Sequence, residues 1–111
     1  MDIERGKRVG PLHVSHDLHL LGVIQGSTTV RRGADLLVDG MIAGDLHVEE
    51  GATATVAGLV TGHVTNSGGL IVTGIVVGTV RSLHGSTVIE PGAIVDGIEQ
   101  TSVVDGNRPL G

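Results

Sequence analysis

The stretch that decides the fold is "VDGMIAGDLHV", residues 38–48. Its apolar residues fall at every second position, which is the period of a β-strand whose side chains alternate between two faces. Gly40 and Gly44, however, lie only four residues apart, and glycine inside a strand weakens it or marks a bend. The stretch therefore predicts short strands that are separated by corners.

The same phrase, apolar-x-Gly-x-apolar-x-Gly, recurs along the chain. Copies occupy residues 20–26, 38–44, 56–62 and 72–78, and a partial copy covers 95–99. Their first glycines are separated by 18, 18, 16 and 23 residues. This period is too short for helical repeats or propeller blades, and it suits one coil of a β-solenoid. We predict an all-β fold, a right-handed parallel β-helix (a three-sided β-solenoid) with about 18 residues per coil and about five to six coils.

The repeat also divides the chain. The solenoid domain is expected over residues 12–100, with an N-terminal tail or cap at 1–11 and a C-terminal tail at 101–111. The last glycine separation exceeds the period by about five residues, which points to an insertion at "RSLHGST", residues 81–87. Such an insertion is either a binding loop or a tolerated corner bulge.

Alternation assigns one set of apolar residues to the inside of the tube. Three inward rows are expected, each running from coil to coil. They are Leu20, Val38, Val56, Val72 and Val95; Ile24, Ile42, Val60 and Val76; and Thr28, Leu46, Val64 and Val80. A narrow inside of this kind explains why the chain has no Phe, Tyr or Trp.

A second apolar row is expected on the outside of the tube. It consists of Val23, Met41, Leu59, Ile75 and Ile98. A contiguous exposed apolar strip often marks a protein-binding surface. Two other interpretations stay open: a terminal segment folds over the row, or the alternation shifts by one residue at a corner.

The two ends of the tube are the other candidate surfaces. Each end of a solenoid presents unpaired strand edges, which recruit further strands unless they are blocked. The charged start "MDIERGKRVGP" and the end "DGNRPLG" are suited to capping. Both capped ends and open, stacking ends are compatible with this pattern.

Composition narrows the function classes. A net charge of −5 disfavours nucleic acid as a partner, because phosphate binding needs a basic surface. No signal peptide and no transmembrane segment are expected, peripheral membrane association stays open, and a chain without cysteine suits the cytoplasm. No cofactor is expected.

The histidines do not predict a metal or catalytic site. His13 and His19 would share one face of a strand and His16 the other, whereas a metal site needs three or four converging ligands. His47 and His63 lie at offset positions of neighbouring coils and are expected on the surface. No nucleophile accompanies them, so the chain is not expected to be an enzyme.

Residues 18–98, and above all "LLVDGMIAGDLHVEEGATATVAGLVTGHV", resemble the bactofilin family of bacterial polymer-forming cytoskeletal proteins. The resemblance implies a right-handed parallel β-helix that stacks into nucleotide-independent filaments and serves as a scaffold. A self-assembling scaffold, as a homo-oligomer or polymer, is therefore the first hypothesis. The alternative is a solenoid binding module, of the inhibitor or immunity type, that captures a protein partner through the outward apolar row.

Overall fold

The computed structural model describes residues 2–100, and it confirms the predicted β-solenoid. The described chain forms only short parallel strands and the turns between them, and it contains no helix. The strands of the first four coils repeat in groups of three, one on each of three faces, and in the last two coils one long strand covers two of the faces. The apolar alternation of the sequence and its regularly spaced glycines together produce this arrangement.

Face 1 is a six-stranded sheet that contains one strand from every coil. Its strands, in spatial order, are β1 (Asp2–Glu4), β4 (Leu18–Leu20), β7 (Asp35–Val38), β10 (Thr53–Val56), β13 (Gly69–Val72) and β15 (Ser86–Ile89). Every neighbouring pair is parallel, as a solenoid requires.

Faces 2 and 3 share the second sheet because the last two coils cross from one face to the other without a break. Face 2 contains β2 (Lys7–Val9), β5 (Val23–Gln25), β8 (Met41–Ala43), β11 (Leu59–Val60) and the first parts of β14 (Ile75–Ser82) and β16 (Ile94–Gln100). Face 3 contains β3 (Leu12–Val14), β6 (Thr28–Val30), β9 (Leu46–Val48), β12 (Val64–Asn66) and the second parts of β14 and β16.

The coil length follows from the register of face 1. One inward row passes through Glu4, Leu20, Val38, Val56, Val72 and Ile89, at separations of 16, 18, 18, 16 and 17 residues. The mean is therefore about 17 residues per coil, close to the predicted 18.

One of the predicted inward rows differs from the structure in its last member, and the row of Ile24, Ile42, Val60 and Val76 is confirmed. Val95 was expected to follow Val72, but Ile89 pairs with Val72, and Val95 extends the row of Ile24, Ile42, Val60 and Val76. The third row, from Thr28 to Val80, is confirmed. Side chains from Leu20 to Val80 in these rows are almost completely buried.

The expected insertion at residues 81–87 is wrong. Arg81 and Ser82 belong to β14, and the coil from Val72 to Ile89 has an ordinary length of 17 residues. The extra length lies in the turn at residues 90–93. The span from Ile89 to Ile94 is two residues longer than the matching span from Val72 to Ile75 one coil earlier. The repeat in the sequence matched Gly97 with Gly74, whereas in the structure Gly97 pairs with Thr79.

The N-terminal segment is the first coil of the solenoid. Strands β1 and β2 lie within the expected tail or cap at residues 1–11, and they pair with β4 and β5. Among residues 2–100, this coil packs against another coil on one side only, which leaves its charged side chains in contact with solvent. The expected C-terminal tail, residues 101–111, lies outside the described residues.

The glycine column at the corner between faces 1 and 2 has a specific cause. Gly22, Gly40, Gly58 and Gly74 stack with their carbonyl groups directed at the next coil, so that a Cβ atom on any of them would overlap the glycine carbonyl of the preceding coil. Close approach between coils therefore requires glycine here, in addition to the bend predicted from the sequence.

Candidate functional site

The outward apolar row lies along face 2. Val23, Met41, Leu59 and Ile75 pair in register from coil to coil. The first three are half-buried by their neighbours in the row, and Ile75 is 41% exposed. The row is therefore continuous and faces solvent, whereas its role as a protein interface stays a prediction.

The structure places Ile94, not Ile98, at the fifth position of this row. Ile94 pairs with Ile75 and is 61% exposed. The backbone of Ile98 pairs with Val80, in the register of the inward row on face 3. The cause is the longer turn at residues 90–93, which shifts the expected alignment of the last coil.

A second outward row on face 2, two residues further along each strand, was missed by the sequence analysis. Val9, Gln25 and Ala43 pair in register, and Val77 holds the matching position two residues after Ile75. Val9 is 77% and Val77 is 52% exposed. The period-2 pattern pointed to these residues, since Val77 shares the outward parity of Ile75. The two rows also contain polar residues, since Lys7 begins the first row and the exposed residues Gln25 and Thr61 belong to the second. We call their apolar members the apolar side face: Val9, Val23, Met41, Ala43, Leu59, Ile75, Val77 and Ile94.

The N-terminal end of the tube is charged. Glu4 and Arg8 pair in register with Leu20 and Ile24, so they occupy inward positions of the first coil. Arg8 Nη1 lies 3.0 Å from Glu4 Oε1, and the two side chains form an ion pair across the corner between faces 1 and 2. A further coil stacked on this end would have to bury that pair.

The tube contains a buried polar cluster near its C-terminal end. Asn66 Nδ2 donates to the carbonyl oxygen of Ser86 and to Thr87 Oγ1, each at 2.9 Å, and Asn66 Oδ1 accepts from the backbone N–H of Gly68 at 3.0 Å. The Ser82 and Thr87 hydroxyl groups also form a hydrogen bond. Satisfied polar groups of this kind are tolerated inside a protein. Near the same end of the tube, Ile89 on β15 and Val95 on β16 pack against the apolar core.

The histidines are dispersed over the surface. His13 lies on β3 of face 3 and His19 on β4 of face 1, so the expectation that they share a face is wrong. A corner between the two strands separates them. His19 Nε2 lies 2.5 Å from Asp39 Oδ2. Among residues 2–100, no group of three or more His, Cys, Asp or Glu side chains is arranged to hold a metal ion.

His47 and His63 are exposed at offset positions, as predicted. His47 lies in the middle of β9 and pairs with Thr29 and Thr65. His63 lies at the corner before β12, where its Nδ1 accepts a hydrogen bond from the backbone N–H of Thr79 at 2.9 Å.

In comparisons with family models, curated proteins and solved structures, nothing matches the chain. The resemblance to bactofilins therefore stays a prediction from the sequence. The structure establishes the class, a three-sided β-solenoid with a charged N-terminal end. Exposed apolar side chains lie on face 2 and, at Ile3, Ile71 and Val88, also on face 1. In the part of the chain that is described, no helix is long and apolar enough to cross a membrane.

Proposed function

We propose that the protein is a non-enzymatic, cytoplasmic scaffold whose subunits associate with one another through the apolar side face. The observation that carries this proposal is the exposure of the face itself. The inside of the tube is already filled by its own inward rows, so Met41, Leu59, Ile75 and their neighbours are not needed for the core. Contiguous apolar surface that a monomer does not bury is typical of an interaction surface.

The size of the face favours many weak contacts over one strong contact. Two rows over five coils, at about 4.8 Å per coil and about 3.3 Å per residue, cover roughly 300 Å². A stable pairwise interface buries about 800 Å² on each partner. A single contact through this face is therefore weak, whereas repeated identical contacts in an assembly become strong together.

The charged N-terminal end favours side-by-side contacts over stacking at that end. Stacking another coil onto the first would bury Glu4 and Arg8. Removing an ion pair from water costs several kcal/mol unless good pairing geometry and further hydrogen bonds to both groups repay that cost. The resemblance to bactofilins supports the scaffold role, and the ion pair at the N-terminal end supports contacts through the side face rather than through that end.

A binding module that captures another protein is the second candidate. The observation that favours it is the same ion pair, because terminal units of monomeric solenoids are often polar caps. A module of this kind would use the apolar side face for its partner and would itself stay monomeric.

Size-exclusion chromatography with light scattering separates the two proposals. A scaffold should show a mass that rises from the 11.3 kDa monomer as the protein concentration increases, and negative-stain microscopy should show ordered sheets or rods. A constant monomer mass at high concentration, with no assemblies on the grid, would reject the scaffold and favour the binding module.

A further inference from the structure

Charge is distributed unevenly along the tube. The first two coils, residues 2–34, contain five basic and three acidic residues, whereas residues 35–100 contain one basic and eight acidic residues. The N-terminal part of the tube is therefore positive, and the rest of the described tube is negative. The net charge of −5 conceals this separation, which runs along the axis on which the coils stack.

The same separation recurs at the corner between faces 1 and 2, which borders the apolar side face. The residues that follow the inward row of face 1 form a column on this corner. From the second coil to the sixth, the backbone N–H of each one donates to the carbonyl oxygen of the inward residue one coil earlier. The column consists of Arg5, Leu21, Asp39, Ala57, Thr73 and Glu90. Its first member is basic and its last member is acidic.

Arg5, Lys7 and Glu90 are available to a partner. All three side chains are exposed, and none of them forms an ion pair with another described residue. Lys7 begins the first outward row of face 2, two residues after Arg5. Glu90 opens the turn that leads to Ile94, the last member of the same row. The row is therefore bordered by positive charge at one end and by negative charge at the other.

We propose that two copies of the chain pair through the apolar side face with their tubes antiparallel, so that Arg5 and Lys7 of each copy lie beside Glu90 of the other. The inference rests on the proposed function and adds the orientation of the subunits to it. Complementary charges across an interface fix its register and exclude other arrangements. The partner that matches this pattern of charges is a second copy of the chain.

A two-fold axis parallel to the strands of face 2 produces this arrangement. It places the first coil of one copy opposite the sixth coil of the other, the second opposite the fifth, and the third opposite the fourth. Met41 of one copy then faces Leu59 of the other, and Val23 faces Ile75. Apolar residues thus meet along the centre of the row, while the charges meet at both ends.

Parallel pairing through the same face would bring like charges together. A two-fold axis along the tube would place Lys7 of one copy close to Lys7 of the other. It would also set the two corners that border face 2 against each other within each coil, and in the third coil these corners contain Asp39 and Asp45. Juxtaposed like charges oppose association, so the charges select the antiparallel pair.

A two-fold contact is isologous, and both copies contribute the same residues. Each attraction between Arg5 and Glu90 therefore occurs twice. The contact is also closed, so an assembly larger than a pair needs a second surface. Face 1 exposes Ile3, Ile71 and Val88, which makes it available for that purpose.

Cysteine cross-linking tests the orientation, because the chain contains no cysteine of its own. An equimolar mixture of the Val23→Cys and Ile75→Cys variants should form a disulfide-linked dimer under mild oxidation, whereas Val23→Cys alone should not. In the antiparallel pair the two copies of residue 23 lie three coils apart, roughly 14 Å, and a disulfide needs Cβ atoms about 4 Å apart. Cross-linking of Val23→Cys alone to the same extent as the mixture would overturn the antiparallel arrangement.

Charge reversal tests the complementarity. Arg5→Glu and Glu90→Arg should each raise the dissociation constant of the pair by about tenfold, since two symmetry-related attractions become repulsions. An equimolar mixture of these two variants should regain the affinity of the unmodified protein, because opposite charges then meet at both contacts. Glu50→Arg makes the same change of charge on the corner between faces 3 and 1. It is the matched control and should pair like the unmodified protein.

Sedimentation velocity measures these dissociation constants and separates this inference from the proposed function. Equal self-association of the unmodified protein, the two charge-reversal variants and their mixture would overturn the charge-guided pairing and leave the proposed function standing. A monomer in every sample, the unmodified protein included, would overturn both and favour capture of a different protein.

Discussion

Glu4 and Arg8 form an ion pair at two positions that hold Leu20 and Ile24 one coil later. The same inward registers therefore change from charged to apolar within one coil. The charged members face the open end of the tube, where Arg8 is half-exposed. The charged pair makes the N-terminal end poorly suited to stacking. Replacing Glu4 and Arg8 by apolar residues should therefore make this end better suited to stacking.

The double substitution Glu4→Leu and Arg8→Ile should create an apolar N-terminal end. We expect the free energy of unfolding to change by less than about 1 kcal/mol, since an exposed ion pair contributes little. Self-association should increase, because the unpaired strand edges of the first coil lose their charged protection. Light scattering of the two proteins at equal concentration measures the effect, and an unchanged mass would show that the ion pair does not limit stacking.

Gly40→Ala should destabilise the solenoid by about 3 kcal/mol or more, because the new methyl group would overlap the backbone of the coil below. Gly6→Ala is the matched control. Gly6 begins the same column, and a Cβ there would meet only Glu4 Oε2, at 3.7 Å. Urea denaturation of both variants checks this prediction, and equal losses of stability would exclude close approach between coils as the reason for the glycine column.

Thr28→Val should stabilise the protein by about 1 kcal/mol. Thr28 lies in an apolar inward row, and its Oγ1 is buried without a hydrogen-bond partner among the described residues. Valine keeps the shape and removes the unsatisfied hydroxyl. Thr29→Val, at the neighbouring outward position, should change stability by less than about 0.5 kcal/mol. A lower melting temperature for Thr28→Val would show that the hydroxyl has a partner in solution.

Asn66→Ala should destabilise the protein by about 3 kcal/mol, because it leaves the Gly68 N–H and the Ser86 carbonyl without their side-chain partner. Ser67→Ala, at the adjacent half-buried position, is expected to have a small effect. Thermal unfolding of the two variants provides the comparison, and a similar stability for both would contradict a structural role for the buried polar cluster.

The middle of the fold was predictable because its residues repeat without interruption. The rows of Ile24, Ile42, Val60 and Val76, and of Met41 and Leu59, follow directly from the glycine period and the alternation of side chains. In these coils the corners before and after face 2 each keep a glycine at the same position of the repeat, so that one coil predicts the next.

The ends were not predictable from the repeat. In the first coil, charged residues occupy inward positions and hide the apolar pattern. In the last coil, the longer turn at residues 90–93 moves the register so that Ile94, rather than Ile98, follows Ile75. The hydrogen bonds that fix His63 depend on which corner residues stack from coil to coil, and a period alone does not specify them.

We expect the apolar side face to join the subunits. Sedimentation velocity over a range of concentrations, comparing the unmodified protein with the double variant Met41→Asp and Leu59→Asp, tests it most directly. The control is Thr29→Asp with His47→Asp, which places the same charges on outward positions of face 3. Large assemblies are expected for the unmodified and control proteins, and a folded monomer for the face 2 variant. Equal assembly by all three proteins, or a monomer in every case, would contradict it.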